Sequence, residues 1–186
     1  KFLKQEKAKN EKSRQKEAVI ETERLRMVAL SGQQMSDWVN HLAKVEEELG
    51  CTYRGESMEN EFRFVLQKQA EKCQADAANC LWHTFWWIVR KEDDVVIGSI
   101  DFKNVPQNGS VEIGYGLEKT FEGSGYMTET VLAFCDWAFR HGVVVVTAET
   151  ERTNLASQRV LLRCGFSLQR EENTLWWQKE KPNELV

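Results

Sequence analysis

A strand-like run leads through a cluster of glycines directly into a helix-like run in residues 110–130, SVEIGYGLEKTFEGSGYMTET. Glycine destabilises a helix or a strand by roughly 0.5–1 kcal/mol relative to alanine, so a dense cluster indicates a backbone shape that other residues resist. The stretch therefore predicts a strand, a loop and a helix whose main chain comes very close to another group.

Hydrophobic periodicity predicts a mixed α/β fold around this stretch, with helices on the faces of a sheet. Strand-like patterns occupy residues 22–30, 83–91, 95–103, 110–117, 143–149, 166–170 and 175–179. Helical patterns occupy residues 33–49, 58–73, 125–140 and 154–163. Turn residues connect the three strands within 83–117, which predicts an antiparallel meander. We therefore expect a mixed, mostly antiparallel sheet of about seven strands.

Two positions carry further structural expectations. The β-branched run in 143–149 is typical of a strand that is covered on both faces. Gly142 follows a basic helix end and is expected to end that helix in the left-handed conformation.

Charge and composition argue against a nucleic-acid partner, a membrane-spanning segment and a metal site. The chain has 25 Lys and Arg against 29 Asp and Glu, and this balance gives no general attraction to phosphate. No apolar run approaches the roughly 18 residues that span a bilayer, and no signal-peptide pattern occurs. The five cysteines and three histidines show no ligand spacing. We expect a cytoplasmic protein with reduced thiols, no bound metal and no direct nucleic-acid partner.

Residues 1–17 differ from the rest, because they carry seven Lys and Arg and three Glu with almost no apolar periodicity. This composition predicts a charged extension, helical or disordered, that precedes one domain at 18–186. A basic arm that binds RNA or an acidic partner is the alternative.

The glycine loop itself predicts an anion site. The first turn of a helix has unpaired N–H groups and a positive dipole, so glycines there allow a pyrophosphate to approach the main chain. The lysine-bearing P-loop, the dinucleotide fingerprint and the serine-hydrolase elbow do not match these residues. An ordinary turn before a helix remains the alternative.

Four blocks carry a resemblance to one family. They are IETERLRM, GSVEIGYGL, GSGYMTETVLAFCDWAF and ERTNLASQRVLLRCGF, and their order and spacing agree over residues 20–179. In these blocks the chain resembles the GNAT (Gcn5-related) N-acetyltransferases, and in particular the branch that acetylates the N-termini of ribosomal proteins. The resemblance implies the GNAT fold and acetyl-CoA as co-substrate.

The family loop reads Arg/Gln-x-x-Gly-x-Gly/Ala, and its amides hold the pyrophosphate of acetyl-CoA. The matching residues are Glu122, Gly123, Ser124, Gly125, Tyr126 and Met127. Glu122 and Met127 depart from the pattern, since a carboxylate replaces Arg or Gln and a thioether replaces a small residue. A carboxylate beside a pyrophosphate is expected to weaken binding unless Glu122 points away.

The resemblance also implies roles along the glycine-bearing strand. The backbone of Tyr115, Gly116 and Leu117 would contact pantetheine and the acetyl carbonyl. Glu112 would deprotonate the amine, commonly through a water, although a solvent-facing strand residue is the alternative.

Three further residues lie on the helix at 154–163. The resemblance implies that Asn154 contacts pantetheine, that Ser157 protonates the departing thiolate and that Arg163 reaches the adenosine phosphates. Asn154 is also a favourable N-cap, Ser157 an ordinary first-turn residue and Arg163 a cation at a helix end. Many relatives instead protonate the thiolate with a tyrosine four residues before the Gly-Phe pair. Leu161 occupies that position here, which favours Ser157 as the general acid.

We therefore expect direct acetyl transfer to a primary amine, either a protein N-terminus or a small molecule, without a covalent enzyme intermediate. A homodimer is left open. Of the adjacent pairs Trp86/Trp87 and Trp176/Trp177, one member each is a candidate for the acceptor groove, with core packing as the alternative. A non-catalytic CoA-binding or protein-interaction module is the competing function, because Glu122 and Met127 depart from the family loop.

Overall fold

The computed structural model describes residues 18–55 and 58–183, so the predicted extension at 1–17 lies outside the described residues. Within these ranges nine strands form one sheet in the order β1-β2-β4-β5-β6-β7-β9-β8, with β3 beside β5. The strands are β1 Val19–Glu21, β2 Leu25–Ala29, β3 Thr52–Tyr53, β4 Phe85–Arg90, β5 Val95–Phe102, β6 Ser110–Leu117, β7 Val145–Thr150, β8 Ser167–Glu171 and β9 Leu175–Glu180. The helices are α1 Gly32–Asn40, α2 Leu42–Leu49, α3 Asn60–Ala75, α4 Cys80–His83, α5 Tyr126–Arg140 and α6 Leu155–Arg163.

The sheet opens in its middle, between β6 and β7. These strands are parallel and pair only from Ser110 to Ile113 on β6 and from Val145 to Ala148 on β7. β6 continues to Leu117 alongside β5, whereas β7 continues alongside β9. One edge of the second half of β6 therefore has no neighbouring strand in the described structure.

A hydrophobic core lies on each face of the sheet. On one face α5 packs against β4 and β5, with the Phe102 and Phe134 rings stacked at a centroid distance of 4.0 Å. On the other face α1 and α3 cover Trp87, which Trp38 meets edge-on at 5.2 Å. The open edge of β6 lies between these two layers, so groups from both faces reach it.

The predicted mixed α/β fold is confirmed, with local differences. The expected first strand is two strands, β1 and β2, and the two-residue β3 adds to the predicted set. The expected helix at 33–49 is broken at His41, whose φ of −143° is incompatible with a continuous helix. The prediction that 143–149 is covered on both faces is wrong, because Val144 is 51% exposed and Glu149 is exposed. Gly142 has the predicted left-handed conformation, with φ 91°.

Within the described ranges, no helix combines the length and the apolar character needed to cross a membrane.

Candidate active site

The loop before α5 has the backbone geometry of an anion-binding nest. Gly123 and Gly125 have φ values of 82° and 78°, in the left-handed region that glycine adopts without strain. Gly125 is the N-cap of α5, and its carbonyl accepts the first intrahelical bond from Glu129 N–H at 3.0 Å. The N–H groups of the first three helical residues, Tyr126, Met127 and Thr128, have no main-chain acceptor in the described structure. They combine with the positive helix end to attract an anion.

Arg24, in the turn between β1 and β2, fastens this loop to the sheet. Its guanidinium donates to the Ser124 carbonyl at 2.9 Å and to Glu129 Oε2 at 2.7 Å, and it lies 4.5 Å from the centre of the Tyr126 ring. Burial opposes ionisation of Glu129, but hydrogen bonds from Thr22 and Arg24 lower its pKa below the ordinary value. Sequence reasoning missed Arg24, because nothing in its local pattern connects it with a loop about a hundred residues away.

A first cavity of about 560 Å³ extends from this nest between β6 and α6. Its lining contains the predicted cofactor residues Tyr115, Gly116, Leu117, Glu122, Gly123, Gly125, Tyr126, Met127, Asn154, Ser157 and Arg163. Ser124 is absent from the lining, since its carbonyl is turned toward Arg24. Sequence reasoning missed Thr128, Ala156, Arg159 and Val160, which also line the cavity. Arg159 and Arg163 add positive charge that counters Glu122. Among the described residues no group of three or more His, Cys, Asp or Glu is arranged to hold a metal ion.

The open edge of β6 presents backbone groups to this cavity. Lys103 N–H donates to the Glu112 carbonyl, so the even-numbered residues of β6 direct their main-chain groups toward β5. The alternate residues Tyr115 and Leu117 direct theirs toward the side where β7 has separated. The N–H of each is therefore available to a ligand, whereas Gly116 contributes an open main-chain surface.

A pair of hydroxyl groups lies where α6 meets this edge. Ser157 Oγ donates to Tyr115 Oη at 2.9 Å, and Tyr115 Oη donates to the Ser157 carbonyl at 3.3 Å. Asn154 Oδ1 accepts the Ser157 N–H at 3.1 Å, which confirms the predicted N-cap. Burial raises the pKa of Tyr115 to about 12, although the hydrogen bond from Ser157 opposes it. Both hydroxyls are therefore protonated near neutral pH.

A second cavity of about 520 Å³ opens on the opposite face of the sheet. Its wall is largely aromatic and apolar, with Trp38, Tyr53, Met58, Phe62, Val65, Phe85 and Val96. Its polar side chains come from Ser99, Asp101, Lys103 and Glu118. Residues 115–117 line both cavities, so the two spaces meet at the open edge of β6.

Other predicted site residues lie apart from these cavities. Glu112 is absent from the described lining of both, and burial raises the pKa of its carboxyl group, with Lys103 opposing. Trp86 and Trp87 are fully buried in the two cores. Trp177 is buried and donates to Thr150 Oγ1 at 2.9 Å. The tryptophan at the wall of the second cavity is instead Trp38, which the sequence patterns did not single out.

Comparison with known sequences gives a family match over most of the chain. The family of acetyltransferase (GNAT) domains matches residues 24–167. The uncharacterized N-acetyltransferase YjdG of Bacillus subtilis is 36% identical over 85 residues, which cover 45% of this chain and 51% of that protein. The uncharacterized N-acetyltransferase p20 of Bacillus licheniformis is 35% identical over 81 residues, 42% of this chain and 46% of that protein. The chain thus spans about half the length of these curated relatives.

Solved structures share the fold at low identity. The ribosomal-protein-S5-alanine acetyltransferase of Vibrio fischeri superposes with a TM-score of 0.66 at 17% identity, covering 89% of this chain and 97% of that one. An acetyltransferase of Salmonella typhimurium, described as modifying the N-terminal serine of ribosomal protein L7/L12, gives 0.62 at 18% identity, covering 88% and 99%. These likenesses show that the fold is shared over nearly the whole of the described structure.

Proposed function

The chain belongs to the GNAT acetyltransferase family, and on this premise we propose that it transfers the acetyl group of acetyl-CoA to a primary amine within a ternary complex. One observation carries the proposal: the anion-binding cavity and the aromatic cavity meet at residues 115–117. A donor in the first and an acceptor in the second would bring their reacting atoms together at that edge. Proximity of this kind is a large part of catalysis in group transfer.

The first cavity offers acetyl-CoA a separate contact for each part. The N–H groups at the start of α5 would hold the pyrophosphate, and Arg159 and Arg163 would neutralise its charge. The free N–H groups of Tyr115 and Leu117 would align pantetheine and polarise the acetyl carbonyl. Asn154 lines the same path.

Proton transfer is assigned to two groups. The ammonium loses one proton before its nitrogen attacks the thioester carbon, and the tetrahedral intermediate loses a second as the C–S bond breaks. Ser157 would supply a proton to the thiolate by turning its hydroxyl hydrogen from Tyr115 Oη to the sulfur. Glu112 remains the candidate base from the sequence. Because it lies outside the lining of both cavities, it would act through an intervening group.

We propose a protein N-terminus or a small molecule as the source of the amine. The names of the Vibrio fischeri and Salmonella typhimurium proteins, which specify a ribosomal-protein alanine and an N-terminal serine, support the first choice. The second candidate function is a CoA-binding module without catalysis, which the carboxylate of Glu122 in the first cavity favours.

A ligand-binding test separates these proposals from an unrelated use of the fold. Thermal unfolding would be measured with acetyl-CoA, CoA, ATP and NAD for the wild type and for Gly125→Glu. Gly142→Glu is the matched control, because it imposes the same left-handed strain at the other end of α5. A ligand at 100 times its dissociation constant adds about 2.7 kcal/mol of stability.

We expect acetyl-CoA and CoA to stabilise the wild type and Gly142→Glu but not Gly125→Glu. Release of the CoA thiol on adding amines then distinguishes an enzyme from a binding module. A wild type that none of the four ligands stabilises would contradict both functions.

A further inference from the structure

Asp101 is a buried carboxylate directed into the second cavity without a hydrogen-bond partner. The residue is 5% exposed and lines the cavity, and no donor within the described ranges is hydrogen-bonded to its side chain. Lys103 Nζ is 3.9 Å from Asp101 Oδ2, beyond hydrogen-bond distance. A buried charge without hydrogen bonds is costly to the fold. Lys103 supplies a counter-charge at this distance, and a cationic ligand in the cavity would add the hydrogen bonds that Lys103 does not make.

The sheet register places this carboxylate close to the junction of the two cavities. Asp101 on β5 pairs with Gly114 on β6, one residue before Tyr115. A Cβ atom at position 114 would lie 3.1 Å from Asp101 Oδ1 and 2.6 Å from Lys103 Nζ. The absence of a side chain at Gly114 therefore leaves space for the Lys103 and Asp101 side chains. This space lies beside β6, the strand along which the donor is proposed to bind.

The aromatic wall specifies what should accompany the positive charge. Trp38 packs edge-on against Tyr53 at 5.5 Å and against Phe62 at 5.6 Å, and all three rings line the cavity. Such a wall favours an apolar or aromatic body and also stabilises a nearby cation through the ring faces. A strongly hydrated polyamine or sugar would gain little from it.

We infer that Asp101 binds the ammonium group of the acceptor and takes its proton, and that the acceptor is a primary amine with an apolar or aromatic body. The inference rests on the proposed acetyl transfer. The ammonium N–H bond breaks and an O–H bond forms on Asp101, which leaves the neutral amine to attack. The N–C bond forms and the C–S bond breaks, the thiolate receives a proton from Ser157, and Asp101 returns its proton to solvent. The second proton of the attacking nitrogen restores the Ser157 hydroxyl.

The charges around Asp101 suit this task. Burial raises the pKa of Asp101 to about 6, Lys103 opposes the rise and Glu112 adds to it. Glu118 and the two tyrosines, Tyr53 and Tyr115, are the other titratable groups that line the cavity. The carboxylate is therefore ionised above pH 6 and still a stronger base than an exposed aspartate. Glu112 contributes through Asp101, consistent with its place outside the cavity lining.

The test measures amine binding to the protein saturated with CoA by isothermal titration calorimetry. The probes are phenethylamine, its neutral isostere phenethyl alcohol, and n-butylamine. The variants are Asp101→Asn and the control Asp136→Asn, which removes an exposed carboxylate on α5. A hydrogen bond to a charged group is worth a factor of about 10 to 100 in affinity.

We expect phenethylamine to bind about 10- to 100-fold more weakly to Asp101→Asn than to the wild type. The affinity for phenethyl alcohol should be the same in both proteins. In every protein n-butylamine should bind more weakly than phenethylamine. Wild-type affinity for the amine should fall below pH 6, and that of Asp101→Asn should not. Equal amine binding by the two proteins, or no amine binding by the wild type, overturns the inference. Failure of CoA itself to bind would instead overturn the proposed function.

Discussion

Replacing Asp101 by Asn should stabilise the protein at neutral pH while changing its acid stability little. Asparagine has nearly the shape of the protonated carboxyl group and carries no charge. Burial raises the pKa of Asp101 from 3.8 to about 6 in the folded protein. The unfolded chain exposes this group to water, so its pKa there returns to the ordinary value.

The sign and size of the effect follow from proton linkage. Between pH 3.8 and about 6 the folded state holds the Asp101 proton while the unfolded state has lost it. The free energy of unfolding therefore falls as pH rises through this window, and is highest below it. A shift of about two units, at about 1.4 kcal/mol each, gives a loss of about 3 kcal/mol that is nearly complete at about pH 7. With the residue 5% exposed, solvent screening reduces this little.

Urea unfolding of both proteins from pH 4 to pH 8 measures the effect. The difference in free energy of unfolding, variant minus wild type, should grow by about 2.5 kcal/mol across that range, because titrating groups that do not interact with Asp101 cancel. Any pH-independent cost of the amide appears as a constant offset. Asp136→Asn, at a side chain that is 67% exposed, should run parallel to the wild type. A constant difference for Asp101→Asn between pH 4 and pH 8 would refute the reasoning.

Three further substitutions test the first cavity and its supports. Ser157→Ala should lower kcat about 100-fold with little change in acetyl-CoA affinity, and Tyr115→Phe should lower kcat less. Steady-state kinetics measure both variants. A kcat of Ser157→Ala equal to that of the wild type would exclude Ser157 as the general acid. Glu122→Gln should tighten acetyl-CoA binding about two- to fivefold at low salt, because it removes a negative charge from the first cavity. Arg163→Gln should weaken acetyl-CoA binding by a similar factor. Calorimetry at two salt concentrations measures both changes in affinity. Arg24→Met should weaken acetyl-CoA binding by releasing the loop, although Arg24 itself is absent from the cavity lining; unchanged affinity would show that Gly123 and Gly125 hold the nest unaided.

The fold could be predicted where periodicity is long. β6 occupies the residues that its alternation predicted, and α5 begins one residue after its expected start. The break at His41 was missed because apolar residues continue on both sides of it. β3 was missed because two residues show no periodicity. Exposure of Val144 follows from tertiary placement, which a β-branched run does not reveal.

The two halves of the site differed in how far the sequence revealed them. The first cavity is built from two short segments, 115–128 and 154–163, so its residues form recognisable motifs. The second cavity is assembled from Trp38, Tyr53, Phe62 and Asp101, which come from four separate elements. The one local signal was Asp101, an acidic residue between two apolar strand residues, Ile100 and Phe102. A carboxylate at that position is uncommon in a buried strand unless a partner or a ligand compensates it.

The glycines of β6 now have distinct physical reasons. The sequence treated Gly114 and Gly116 alike, as residues that let a ligand approach the strand. Gly114 instead makes room within the protein, because a Cβ atom there would collide with Lys103 and crowd Asp101. At Gly116 the described structure has nothing within 4 Å of such an atom, and the residue lines both cavities. An alanine at 116 would thus project into the space where donor and acceptor are proposed to meet, whereas an alanine at 114 would move the end of the Lys103 side chain away and press on the carboxylate proposed to receive the proton.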